Sequence, residues 1–94
     1  MSEFHHVVAD ALRKAKESIS DPAKWGQGAI CLRPGTKCAA EAIIALDLPL
    51  DVQTAAFRVI NEVAGENGVI IWNDSNNHQT VLDGFDQGVT LLTA

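Results

Sequence analysis

Asn67-Gly68-Val69-Ile70-Ile71-Trp72-Asn73-Asp74-Ser75-Asn76-Asn77 is the stretch on which the reading of the fold turns. Asn67-Gly68 is a turn signal, and Ser75-Asn76-Asn77 is a polar loop. Four large apolar residues between such boundaries predict a short buried extended segment over 69–72. Asn and Asp lead the residues that bond local backbone amides and begin helices. Asn73 and Asp74 are therefore expected to turn the chain into its last helix, with a ligand or metal contact as the functional alternative.

Beyond this stretch, Val81, Leu82, Phe85, Val89 and Leu92 mark the apolar stripe of a final helix that Asn77 or Thr80 caps. Gly84 and Gly88 sit four apart on it, a spacing that lets another backbone approach closely and turns both toward a neighbouring element; an irregular or frayed last helix is the alternative. Before it, Asp51 is placed to cap a helix with inner face Val52, Ala55, Ala56, Val59, Ile60 and Val63, closed by Gly65. A further helix is predicted over 37–46, capped by Thr36, with Cys38 or Ala39, Ala42, Ile43 and Leu46 inward. Trp25-Gly26-Gln27-Gly28 reads as a tight loop, and Ala29-Ile30-Cys31-Leu32 as a second extended run. The chain opens on an amphipathic helix with stripe Phe4, Val7, Val8, Ala11, Leu12, Ala15 and Ile19. Ser2 caps it, Asp10 with Lys14 and Arg13 with Glu17 can pair on its outer face, and Pro22 ends it or starts a short turn with Asp21 as its cap.

The fold expected is therefore mainly α: about four helices around one core, with extended segments at 29–32 and 69–72 that can pair with each other. Residues 1–94 form one domain. The core draws on Ala, Val, Ile and Leu, because there are only three Phe, two Trp and no Tyr. No apolar run approaches the roughly 18 residues of a membrane span. A cytoplasmic location and free thiols at Cys31 and Cys38 are the matching expectations.

Charge is uneven. Residues 1–38 carry four acids and six bases, a balance of +2, whereas residues 39–94 carry eight acids and one base, Arg58, a balance of −7. Phosphate recognition needs clustered Lys and Arg, so the acidic part is not expected to hold nucleic acid. A basic protein partner, or self-association into a homo-oligomer, fits better. The faces opposite the apolar stripes offer Asp47, Glu62, Glu66, Asp83 and Asp86 as the acidic binding residues.

Chemistry-bearing patterns are sparse. Cys38 or Asp74 with His78 has the residue types of a nucleophile–base–carboxylate set, which requires all three within hydrogen-bond reach. Cys31 and Cys38 are spaced too widely for the usual structural zinc pair. Gly28 through Gly35-Thr36-Lys37 departs in spacing and order from a phosphate loop. His5 and His6 point about 100° apart on a helix, which suits solvent more than a shared metal. No catalytic residue, metal or cofactor is expected.

Three stretches together carry a resemblance: Trp25-Gly26-Gln27-Gly28-Ala29, Cys38 followed by Ala42-Ile43, and Trp72-Asn73-Asp74 ahead of a terminal amphipathic helix. They resemble an uncharacterised family of small bacteriophage and bacterial proteins known as a domain of unknown function. The resemblance covers most of residues 10–93 and makes Trp25, Gln27, Gly28, Cys38, Trp72, Asn73 and Asp74 the motif residues. Glu41 stands where that family commonly has glycine in Cys-x-x-Gly-Ala-Leu. The resemblance implies a phage or mobile-element setting. It suggests a non-catalytic protein-interaction module, including inhibition of a host defence complex of the CRISPR type.

Overall fold

The computed structural model describes residues 2–28 and 33–94. Five α-helices surround one core: α1 (Glu3–Ser18), α2 (Ala39–Ile44), α3 (Leu50–Ala64), α4 (Gly68–Ser75) and α5 (His78–Thr93). The mainly helical architecture is as the apolar spacing requires.

The helix boundaries follow from local chemistry. Ser2 accepts from the His5 amide at 3.2 Å and starts α1. Asp21 accepts from the Ala23 amide at 2.9 Å and starts a single 3-10 turn, Pro22–Lys24. Asn77 accepts from the Thr80 amide at 2.8 Å and starts α5. Gly65 ends α3 at φ 90, a conformation that favours glycine.

The long helices α1, α3 and α5 form the frame. Leu12 meets Gly88 and Lys16 meets Asp86, so α1 and α5 run antiparallel. Val59 meets Gly88 and Val63 meets Gly84, so α3 also runs antiparallel to α5. Phe85, Leu12, Ile60, Val8 and Val81 of this frame are completely buried, as are Ile43 of α2 and Ile19 just after α1. Both glycines face neighbours, as their spacing suggests. A Cβ at Gly84 would overlap the six-membered ring of Trp72, and one at Gly88 would lie 3.2 Å from Leu12 and Val59.

Several sequence expectations are corrected. Residues 69–72 are helical, within α4, and are not extended. Val69 is buried and Trp72 half-buried, but Ile70 and Ile71 are 61% and 52% exposed. A helix sends consecutive residues in different directions, so an unbroken apolar run cannot all face inward. The partner segment proposed for it, 29–32, lies outside the described residues.

The second helix spans only Ala39–Ile44. Lys37 is extended and forms an isolated parallel bridge with Trp25, while the Thr36 hydroxyl donates to Arg33 O at 2.8 Å inside the preceding turn. Pro49, not Asp51, occupies the cap position of α3, and the Asp51 carboxylate accepts from the next amide, Val52 N. Arg13 pairs with Asp10 at 2.7 Å in place of the i,i+4 pairs.

The Trp72–Gly84 contact generates a stability prediction. Gly84→Ala should gain up to ~1 kcal/mol of helix propensity but force the indole to move, for a net loss of about 1–3 kcal/mol from overpacking. Gly88→Ala brings the new methyl to 3.2 Å from Leu12 and Val59, a tight contact and not an overlap, and should cost less. Urea unfolding midpoints of the two variants in parallel check this order, and equal midpoints would contradict it.

Candidate functional site

Two places concentrate polar groups: a node at the end of α4, and a groove between α3 and α5.

The node is centred on Asn73, whose side chain is completely buried. Its Oδ1 accepts from Trp25 Nε1 at 2.8 Å and from the Ala39 amide at 3.0 Å. Its Nδ2 donates to Gly26 O at 3.1 Å and to Asp74 Oδ1 at 3.2 Å. One carboxamide thus joins the 25–28 loop, the start of α2 and α4. Asp74 Oδ1 also accepts from the Gly28 amide at 2.9 Å. The Gln27 amide donates to Asn73 O, Asp74 O and Asn76 O at 3.0, 3.2 and 2.6 Å. Those are the carbonyls that a helix C-terminus leaves without partners. Asn73 and Asp74 therefore do not lead into α5, as expected from sequence; they fasten α4 to a loop more than forty residues away, and Asn77 begins α5.

The sequence motifs converge here. Trp25, Gln27, Gly28, Asn73 and Asp74 share the node, and Cys38 immediately precedes the Ala39 amide that Asn73 holds. Trp72 points the other way, against Gly84. His78 packs on the node from α5: its ring lies 5.1 Å from the Trp25 ring, and its Nε2 is 2.6 Å from Ile19 O. That oxygen requires the proton to be on Nε2.

Among the described residues, no hydrogen bond joins Cys38, Asp74 and His78 to one another. His78 bonds Ile19, and Asp74 bonds Gly28 and Asn73. The Cys38 thiol is buried, and burial pushes its pKa up. The Glu41 amide opposes this, and the Glu41 carboxylate adds to it. Glu41 is thus the charged neighbour of the thiol. A raised pKa keeps the group protonated at neutral pH, the reverse of an activated nucleophile. Among the described residues, no group of three or more His, Cys, Asp or Glu is arranged to hold a metal ion.

The groove has a volume of about 580 Å3 and is lined by Glu62 and Val63 of α3 and by Asp86, Gln87, Thr90 and Leu91 of α5. Leu91 is 57% exposed. Glu62 and Asp86 are thereby brought to one face. Asp83 is exposed one turn earlier on α5 and accepts from the Gln79 amide at 2.9 Å. Glu66 is exposed in the turn after α3, and Asp47 lies in the α2–α3 connection at φ 52. Asp86 is not free to serve a partner alone, because Lys16 Nζ lies 2.9 Å from both of its carboxylate oxygens. Sequence reasoning missed Leu91 and the long-range partners of Asn73. Leu91 neighbours the stripe residue Leu92, a weak signal; nothing in the sequence marks the Ala39 amide.

Two predictions follow from the node. Asn73→Ala orphans the Trp25 indole N–H and the Ala39 amide, at about 1–3 kcal/mol each, so it should lower unfolding stability by about 2–6 kcal/mol. Chemical denaturation measures this, and a loss below about 1 kcal/mol would show that the node does not hold the loop. For Cys38 the sign is set by its raised pKa. An unfolded thiol ionises near pH ~8.5, and the folded thiol ionises higher. Its contribution to stability is therefore complete below that pH and is lost as pH rises through the folded value. Urea midpoints followed from neutral to alkaline pH should fall more steeply for wild type than for Cys38→Ala. Superimposable curves would be evidence against a buried thiol.

No helix among the described residues is long and apolar enough to cross a membrane. No family model matches the chain, and neither a curated protein nor a solved structure matches it significantly.

Proposed function

We infer that the chain is a non-catalytic protein-interaction module whose acidic α3–α5 face docks a basic protein surface. The observation that supports this is the groove in which Glu62 and Asp86, on different helices, flank the exposed Leu91 and the side of Val63. Carboxylates around an apolar strip suit a partner that presents lysine or arginine, whose aliphatic stem can lie on Leu91 while the charged head meets the acids. Asp83 and Glu66 extend the negative field around the groove, which accelerates encounter more than it tightens the complex. The buried thiol and the separately bonded Asp74 and His78 favour this reading over the small-enzyme alternative.

The finer reading is a phage or mobile-element protein that acts on a host defence complex of the CRISPR type by occupying a basic, nucleic-acid-binding surface. It draws on the resemblance and on the excess of acids in residues 39–94.

The test uses Glu62→Lys with Asp83→Lys, which reverses charge on both helices and leaves the Lys16–Asp86 pair intact. Both residues are exposed, so the double variant should retain its helical circular dichroism and melting temperature. Proteins captured from bacterial lysate by the wild-type chain should elute with moderate salt and be missing from the double-variant capture. A partner retained equally by both at low salt would remove this face from consideration.

A further inference from the structure

We propose that Asn67 is a spontaneous modification site, at which the Gly68 backbone nitrogen closes on the Asn67 side chain and deamidates it. The main-chain nitrogen of Gly68 attacks Cγ of Asn67, the C–Nδ2 bond breaks, and ammonia leaves with the proton lost by that nitrogen. Water then opens the five-membered imide at either carbonyl. One opening gives aspartate and the other gives isoaspartate, in which the main chain runs through the former side chain.

Three observations single out this residue. Asn67 is exposed, and its side chain makes no capping bond to α4. The other asparagines are engaged: Asn61 holds the Val69 amide, Asn73 is the buried node, Asn76 donates to Trp72 O, and Asn77 accepts from Thr80. The residue after Asn67 is also the only one following an asparagine that lacks a side chain to obstruct ring closure. Gly68, the first residue of α4, adopts φ 82, and its amide is tied by one turn bond, 3.1 Å to Gly65 O. Breaking that bond leaves the helical ladders in place.

Asp83-Gly84 is the internal comparison, because an aspartate followed by glycine can close the same ring. There the glycine is buried in the middle of α5 against Trp72, and Asp83 accepts from Gln79. Rotating that backbone would break the helix. An ionised carboxylate is also a poorer acyl electrophile than a carboxamide, so Asp83 is the slower site in any conformation and the fold adds a second barrier to it. Conversion at Asn67 would move the net charge from −5 to one unit more negative, and the isoaspartate form would add a methylene to the main chain entering α4.

The experiment incubates the full chain, folded and urea-denatured, in mildly alkaline buffer and maps its peptides by mass spectrometry, with isoaspartyl methylation to identify the isomer. In the folded chain the peptide containing Asn67 should exchange its amide nitrogen for oxygen and contain both isomers. The Asp83 peptide should stay unmodified until the chain is denatured, and Asn67→Gln should abolish the early mass change. Asn67 left intact in the folded chain while it reacts in urea would overturn the proposal, as would isomerisation of Asp83 as fast in the folded chain as in urea.

Discussion

A carboxamide removed from water must find partners for both ends, and at Asn73 those partners come from two distant parts of the chain, the 25–28 loop and the start of α2. Trp25 Nε1, the Ala39 amide and Gly26 O converge on a side chain with no exposed surface. Each would cost about 1–3 kcal/mol if left unpaired, a large share of the stability of a domain this small. The register of the 25–28 loop, the first turn of α2 and the end of α4 is therefore set jointly. None can shift by one residue without orphaning the other two. Apolar packing is tolerant of sliding, whereas a fully satisfied polar node is not. That is why the fold can rest on a helix as short as α2.

The parts of this arrangement that were legible in the sequence are those governed by short-range rules. The stripes of α1, α3 and α5 show their period directly, and Ser2, Asp21, Asn77 and Gly65 mark boundaries with residues whose side chains or backbone suit those positions. The close-packing role of Gly84 and Gly88 was likewise readable from their spacing. What failed was the run Val69-Ile70-Ile71-Trp72, where composition favours an extended segment and the structure is helical. The deciding influences are long-range. Asn61 Oδ1 accepts from the Val69 amide at 3.0 Å at the start of α4, and Gln27 Nε2 donates to the carbonyls at its end. No local pattern records that residues 61 and 27 serve the two ends of this helix. The same limitation applies to Thr36, whose hydroxyl turned inward to its own turn when Lys37 was drawn into the bridge with Trp25.

The charge pattern was legible in amount and only partly in place. The acids of residues 39–94 are on the surface as their positions on the helices require, yet Asp86 is bound by Lys16 from the basic first helix. An exposed pair of this kind contributes about 0–1 kcal/mol, so its importance is geometric. It places one of the few cations of the chain at the edge of the acidic groove and tempers the field there. Glu62, on the other wall, has no such neighbour among the ion pairs of the described residues. The negative character of the groove is accordingly strongest on its α3 side, and charge reversal at Glu62 is a sharper probe of that face than charge reversal at Asp86.

The two ends of α4 explain why this helix tolerates Ile70 and Ile71 in solvent. One face must deliver Asn73 to the node, and the adjoining face must place the Trp72 ring against Gly84. A helix that meets both demands has no freedom left to rotate its remaining apolar residues inward, because they lie roughly 100° and 200° around the axis from Val69. Leaving Ile70 and Ile71 a little over half exposed forfeits roughly half of the about 1.5–3 kcal/mol that full burial of such a side chain contributes. Rotating α4 to bury them would instead break the buried hydrogen bonds of Asn73 and pull the indole away from the glycine cleft. The polar constraint and the aromatic contact act together in one direction, and the hydrophobic preference of two isoleucines is too small to reverse them.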